Sequence, residues 1–163
     1  MTNIDKIFEA QEYIEPDEGL KGDTGYYGMV ASAVKEATEA GNEILKQGGN
    51  AFDAIIAVQL ALAVVEGMNT GVGAGGFILC HDFKNKDTKV VNAHPKAPAA
   101  LRPDCFIDEN GNEIPFDERS THGMAVGIPS IMKGLKYVHE NYATLPLETL
   151  IDPAIRLAES EVR

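Results

Sequence analysis

The sequence has only two cysteines, Cys80 and Cys105, among its 163 residues. Two cysteines are too few for a disulfide framework or for a metal site built from several thiolates. The four histidines have no spacing to one another or to a cysteine that is typical of metal ligands. His81 follows Cys80 directly, but neighbours on a strand point to opposite faces and do not readily share an ion. We therefore expect no metal and no cofactor.

Basic residues are also scarce, with 14 lysines and arginines against 25 acidic residues and a formal net charge of −11. This balance argues against nucleic acid and against an anionic membrane as partners, because both bind through basic patches. The longest apolar stretch, Ala54–Val65, is interrupted by Gln59 and is too short to span a bilayer. Residues Met1–Thr24 lack the basic start and apolar core of a secretory signal peptide, and we interpret residues 1–25 as an acidic arm.

Hydrophobic periodicity predicts two helices in the first half of the chain. Apolar residues recur at helical spacing after Lys35, and Gly48–Gly49 end this helix because glycine readily adopts the left-handed conformation. Asn50 is expected to cap the second helix, Ala51–Val65, with Asp53 in its first turn. This second helix is apolar nearly all round, so we expect other elements to enclose it.

Strand signals alternate with these helices and predict a mixed α/β (α+β) domain over residues 26–163. Segments rich in aromatic and β-branched residues predict strands at Tyr26–Ala33, Phe77–Asp82 and Lys89–Ala93, with a polar hairpin turn at Phe83–Thr88. Asn110-Gly111 is typical of a turn between two extended segments, Cys105–Asp108 and Glu113–Phe116. Helical spacing returns at the end of the sequence, over Ser130–Tyr142 and Leu147–Val162.

Two clusters of residues invite a functional interpretation. Gly71, Gly73 and Gly76 match the G-x-G-x-x-G pattern of dinucleotide sites, but here the pattern follows a helix and precedes a strand, the reverse of the order that binding needs. We interpret this run as a tight loop in which backbone approaches backbone. His94 and Lys96 are two residues apart, so a continued strand would place both on one face, where they could hold a carboxylate. The alternative is a solvated strand end.

Six segments in collinear order resemble the γ-glutamyltransferase (γ-glutamyl transpeptidase) family, whose relatives include class IV cephalosporin acylases and a poly-γ-glutamate capsule enzyme. The resemblance covers the sequence from about Tyr27 to its end, and each segment alone is modest. The segments are Gly28–Glu66, GVGAGGFIL at Gly71–Leu79, NAHPKAPAA at Asn92–Ala100, DCFIDENG at Asp104–Gly111, AVGIPSIMKGL at Ala125–Leu135 and LPLETLIDPAIRLA at Leu145–Ala158.

The resemblance implies an N-terminal-nucleophile hydrolase with a four-layer αββα sandwich, of which these residues supply part. It implies autoprocessing before a threonine, which then attacks the γ-glutamyl amide with its own amine as base, and transfer of the acyl group to water or an amine. Residues 26–163 match the first portion of the large subunit. The catalytic threonine lies outside the matched region, so no catalytic residue is expected here. The implied partners are the rest of the large subunit, the threonine-bearing small subunit and a small-molecule γ-glutamyl substrate.

The resemblance also points to a substrate-binding position. The family holds the α-carboxylate of the glutamyl group with an arginine in a pattern like N-A-R-E-x-A-P, and the matching run here is Asn92–Pro98, with His94 in the arginine position and Pro95 after it. Histidine loses the bidentate guanidinium pair, worth roughly 1.5–3 kcal/mol, and Lys96 compensates only as a point charge. His94 and Lys96 are the predicted substrate-binding residues. This departure leaves two alternatives, an acylase for a non-glutamyl amide and a non-catalytic domain that binds a ligand or partner.

Overall fold

A computed structural model describes Gly25 and residues 28–160. The acidic arm predicted over residues 1–25 therefore lies outside the described residues, apart from Gly25. The described elements, in chain order, are α1 (Lys35–Lys46), α2 (Ala51–Val65), β1 (Gly76–Asp82), β2 (Asp87–Ala93), α3 (Phe116–Thr121), a short 3-10 helix (Gly123–Ala125), α4 (Ile131–Tyr142) and α5 (Leu147–Glu159). None of these helices is long and apolar enough to cross a membrane.

Helices α1 and α2 pack closely against each other, as the apolar stripe of α1 predicts. Gly41 lies on the packed face of α1, and a Cβ at this position would come within 2.6 Å of Val58 Cγ2 in α2. The missing side chain thus permits the close approach of the two helices. Gly48 follows α1 with φ of 90°, which confirms that a glycine ends this helix. The stripe is buried at Ala37, Ala40 and Ile44.

The start of α2 is held by a capping box and by a long-range anchor. Asn50 Oδ1 accepts hydrogen bonds from the backbone N–H groups of Phe52 and Asp53, and Asp53 Oδ2 accepts one from Asn50 N at 2.8 Å. The predicted cap is therefore confirmed. The fully buried Asp53 carboxylate also accepts hydrogen bonds from the backbone N–H groups of Thr144 and Leu145 and from Thr144 Oγ1, at 2.7–3.2 Å. One side chain thereby joins α2 to the loop between α4 and α5.

Strands β1 and β2 form an antiparallel hairpin that runs from the pair Gly76–Ala93 to the pair Asp82–Asp87. Both strands are confirmed, and the turn between them is shorter than predicted because Asp87 and Thr88 already belong to β2. Side chains alternate between the two faces, so that Cys80 is buried while His81 is exposed. The same alternation turns a row of apolar side chains outward, at Phe77, Leu79 and Val90, which are 64%, 71% and 63% exposed.

The main core lies between the helices and the inner face of the hairpin. Helix α4 approaches β2 closely at Gly134, where a Cβ would lie 2.7 Å from Ala93 Cβ. Helices α1, α4 and α5 cover most of α2, but Ile55 is 40% exposed, so the expected enclosure of α2 is incomplete among the described residues. The buried members of this core are Ile44, Ile56, Ala57, Cys80, Leu135, Val138 and Leu150.

The strand predicted at Tyr26–Ala33 is wrong over its described part, residues 28–33, which form no strand. A strand needs a hydrogen-bonded neighbour, and this segment instead runs beside α1 and α2. There Val30 packs into the cluster that surrounds Gly41 and Val58.

The turn predicted at Asn110-Gly111 is confirmed, with Gly111 at a φ of 83°, although the segments on either side of it do not form strands. Segments Cys105–Asp108 and Glu113–Phe116 share a single bridge, between Ile107 and Glu113. Pro115 has no backbone N–H to continue a ladder, and α3 begins directly after it. The last helix ends at Glu159, short of the predicted Val162, which lies outside the described residues.

Candidate functional site

The backbone that follows β2 is held by a residue far along the chain. Ser130 Oγ donates to the carbonyl oxygens of Ala93 and His94, at 3.1 and 2.8 Å. The backbone N–H of His94 donates to Asn92 Oδ1 at 3.0 Å. These contacts fix the main chain on both sides of the His94 side chain, so the ring leaves the strand end in a defined direction.

The His94 ring is exposed and lies beside the outward face of the hairpin. Its centroid is 5.7 Å from that of Phe77, with the ring planes 33° apart. Nδ1 lies 3.2 Å from the carbonyl oxygen of Pro95, a contact that requires a proton on Nδ1. Nε2 then accepts a hydrogen bond in the neutral ring and donates one in the protonated ring. His94 can therefore bind a carboxylate through Nε2 when the ring is protonated.

A groove of about 380 Å³ lies next to this ring, between the edge of β1 and helix α2. Phe77 belongs both to the groove wall and to the contact with His94. Gln59 and Thr70 supply polar groups at the wall and are joined by a hydrogen bond of 2.8 Å from Nε2 to Oγ1. The apolar part of the wall includes Ile55, Ile78, Leu79 and Leu135. The groove is thus mainly apolar, with His94 beside it.

Among the glycines of the run, residues 71–76, only Gly75 leaves no room for an added Cβ. A Cβ on Gly75 would lie 2.0 Å from Pro95 Cδ, so the backbone at Gly75 presses against the residue that follows His94. The three positions of the dinucleotide pattern, Gly71, Gly73 and Gly76, have nothing within 4 Å of an added Cβ. The close approach predicted for the run therefore comes from a glycine outside that pattern, and it supports the backbone around His94.

We expect Gly75→Ala to lower the free energy of unfolding by about 1–3 kcal/mol, because the new methyl group overlaps Pro95 and the backbone must shift. Gly73→Ala is the matched control, with open space around the added methyl group and an expected change within about 0.5 kcal/mol. Urea unfolding of both variants measures the difference. Equal effects of the two substitutions would contradict the proposed contact.

Lys96 points away from the groove beside His94. The strand does not continue past Ala93, so the condition for placing His94 and Lys96 on one face is not met, and Lys96 instead makes an isolated backbone bridge with Ile128. Lys96 lines a different groove, together with Phe106 and Phe116. The structure therefore does not place Lys96 on the hairpin side with His94.

No metal centre is evident in the part of the chain that the structure describes, and Cys80 does not have the properties of a nucleophile. No group of three or more His, Cys, Asp or Glu residues there is arranged to hold a metal ion. Burial raises the pKa of the Cys80 thiol, which keeps it protonated and unreactive near neutral pH.

Sequence reasoning missed the residues that position His94. Ser130 is 36 residues away along the chain and no local pattern connects the two. Phe77 was predicted only as part of a strand. Asn92 did offer a signal, because an asparagine two residues before a backbone N–H commonly accepts a hydrogen bond from it.

Comparison with known proteins identifies a family that this chain resembles. A family model described as Gamma-glutamyltranspeptidase matches residues 37–161. The glutathione hydrolase proenzyme of Bacillus subtilis strain 168 is 48% identical over 143 residues, which are 88% of this chain and 24% of the relative. The chain therefore spans about a quarter of the length of such relatives.

Solved structures show the same fold. The γ-glutamyltranspeptidase of Helicobacter pylori superposes with a TM-score of 0.78 and 35% identity, covering 85% of this chain and 39% of that one. A cephalosporin acylase from Bacillus halodurans gives a TM-score of 0.69 and 29% identity, covering 93% and 27%. The resemblance read from the sequence is confirmed, and the described helices and hairpin are part of the expected sandwich.

Proposed function

The chain belongs to the γ-glutamyltranspeptidase family, and from this membership we propose that residues 26–163 form the first portion of the large subunit of an enzyme that cleaves γ-glutamyl amides. The observation that carries the proposal is the 48% identity to a glutathione hydrolase proenzyme over 88% of the chain. The superposition on a γ-glutamyltranspeptidase supports it independently.

In this proposal the reacting groups come from a partner polypeptide that begins with threonine. The threonine hydroxyl oxygen attacks the amide carbonyl carbon while the amine of the same residue accepts the hydroxyl proton. The carbon–nitrogen bond then breaks, the leaving amine takes that proton, and a γ-glutamyl ester remains on the threonine. Water or an amine then attacks the ester carbonyl carbon, the bond from that carbon to the threonine oxygen breaks, and the threonine hydroxyl takes up the proton that the attacking group loses. This chain supplies scaffold and a wall of the substrate site.

The outward face of the hairpin supports the proposed assembly. Phe77, Leu79 and Val90 form an exposed apolar row, and the described residues provide no second sheet to cover it. A two-stranded sheet with an uncovered apolar face is marginal by itself. We propose that the remaining large subunit and the small subunit cover this face and complete the sandwich.

His94 is the proposed contact for the α-carboxylate of the substrate, with Lys96 adding positive charge from further along the chain. The exposed ring beside an apolar groove supports this role for His94. Lys96 has weaker support because its side chain lines the other groove.

We expect His94→Arg in the full-length protein to raise kcat/KM for γ-glutamyl-4-nitroanilide about tenfold, since arginine restores a bidentate carboxylate pair. The comparison substrate is 4-aminobutyryl-4-nitroanilide, which lacks only the α-carboxylate and should show no gain. Gln47→Arg adds the same charge at an exposed residue that follows α1, outside the hairpin and the groove, and is the matched control. No gain with either substrate would contradict the proposal that His94 contacts the α-carboxylate.

An acylase for an amide without the α-carboxylate is the second candidate, favoured by His94 in the arginine position and by the similarity to a cephalosporin acylase. In that case the unmodified protein cleaves the 4-aminobutyryl anilide faster than the γ-glutamyl anilide. The opposite preference would support the γ-glutamyl proposal.

A further inference from the structure

A second groove, of about 440 Å³, lies on the far side of the segment that follows β2. We refer to it as the cationic groove. One wall comes from residues 95–98 with Leu101 and Phe106, and the other from residues of α3 and from residues 124–127. The bridge between Lys96 and Ile128 joins the two walls, through Lys96 N to Ile128 O at 3.3 Å and Ile128 N to Lys96 O at 2.8 Å. A volume of this size suits a small organic molecule.

The charge of the cationic groove is opposite to that of the chain as a whole. The net charge of the sequence is −11, yet Lys96 and Arg119 line the groove and none of the lining residues is acidic. Arg119 Nη1 forms an ion pair with Glu113 Oε2 at 3.4 Å, and Glu113 itself does not line the groove. A guanidinium has five N–H donors, so most of them remain available to a ligand. The groove therefore favours an anion.

Apolar side chains make up most of the remaining wall. Phe116 and Val126 are 69% and 66% exposed, and Leu101, Phe106 and Met124 complete this surface. The Arg119 guanidinium carbon lies 5.8 Å from the centroid of the Phe116 ring, so one cation stands directly beside the apolar wall. A ligand that matches this surface combines a charged end with an apolar body.

Several backbone N–H groups in the walls of the cationic groove already donate hydrogen bonds within the chain. The N–H groups of Met124, Ala125 and Val126 donate within the chain, to His122 Nδ1, His122 O and Gly123 O respectively. The N–H of Lys96 is used by the bridge to Ile128. The charged donors in this wall are the side chains of Lys96 and Arg119, which select for negative charge.

We propose that the cationic groove binds a small molecule with one carboxylate on an apolar skeleton about the size of an aromatic amino acid. The carboxylate lies against Lys96 and Arg119, and the skeleton packs on Phe106, Phe116 and Val126. This site is separate from the groove beside His94, because His94 does not line the cationic groove.

The test is calorimetric titration of the full-length protein with N-acetyl-L-phenylalanine and with N-acetyl-L-phenylalanine amide, which has the same skeleton without the charge. We expect the acid to bind about tenfold more tightly than the amide. Lys96→Gln and Arg119→Gln should each weaken binding of the acid about tenfold. Lys133→Gln, an exposed lysine on α4 outside the groove, is the matched control and should leave the affinity unchanged.

Three outcomes would overturn the proposal. Equal binding of the acid and the amide would show that charge is not recognised. Loss of affinity in Lys133→Gln equal to that in Arg119→Gln would show a general charge effect. No heat of binding at millimolar acid would show that the groove does not bind this class of ligand in the full-length protein. His94→Arg should leave this binding unchanged, which separates the result from that of the proposed substrate site.

Discussion

Asp53→Ala is expected to lower the free energy of unfolding by about 3–4 kcal/mol, because several buried donors lose their acceptor at once. The carboxylate accepts hydrogen bonds from the backbone of Asn50, Thr144 and Leu145 and from the Thr144 hydroxyl, and it is fully buried. The substitution also removes half of the capping box of α2. Urea unfolding followed by circular dichroism measures the loss.

Asp117→Ala is the matched control, because Asp117 lies in the first turn of α3 and is exposed. Its expected effect is within about 0.5 kcal/mol. Asp53→Asn keeps one acceptor oxygen but turns an amide donor toward existing donors, so its effect should fall between those of the other two variants. A loss under about 1 kcal/mol in Asp53→Ala would mean that the loop between α4 and α5 does not depend on this anchor.

The hydrogen bonds to the Asp53 carboxylate also predict that the free energy of unfolding falls at low pH. Burial raises the pKa of Asp53, but its hydrogen bonds to Thr144, Asn50 and Leu145 together outweigh this effect, so the pKa in the folded chain is below the ordinary value. A lowered pKa in the folded state stabilises the fold above the unfolded pKa of about 3.9, and this contribution is lost as pH falls through the folded pKa. The stability difference between wild type and Asp53→Asn should therefore shrink below about pH 4.

Leu79→Asp is expected to prevent assembly of the chain with the threonine-bearing polypeptide. Leu79 is 71% exposed on the outward face of the hairpin, so the substitution should hardly affect folding of the described part. In the proposed sandwich the same side chain is covered, and an unpaired buried carboxylate costs several kcal/mol, which weakens association by about a hundredfold or more. Native mass measurement of the co-expressed polypeptides determines the fraction assembled.

Met68→Asp is the control for this experiment, because Met68 is 99% exposed and lies in the segment between α2 and β1, outside the two strands. It should assemble like the wild type and release 4-nitroaniline from the γ-glutamyl anilide at the same rate. If Leu79→Asp also assembles fully, the apolar face of the hairpin stays in solvent and the proposed covering layer lies elsewhere.

Local sequence determined the helices and the hairpin of this protein. Spaced apolar residues, a capping asparagine and paired glycines act over a few residues, and for this reason α2 and its cap could be predicted from the chain alone. The strand predicted at Tyr26–Ala33 failed for a physical reason. Its aromatic and β-branched residues are a local signal, but a strand exists only with a hydrogen-bonded neighbour, and the described part of this segment, residues 28–33, has none.

Only the tertiary structure decided how the side chains of the candidate site are placed. His94 was identified from its position in a recognisable run, yet its direction depends on Ser130, 36 residues away, and on the outward turn of Phe77. Spacing alone placed Lys96 beside His94, whereas the end of β2 at Ala93 separates the two side chains. Hydrogen bonds and packing between distant segments set these positions, and such contacts leave no periodic signal in the sequence.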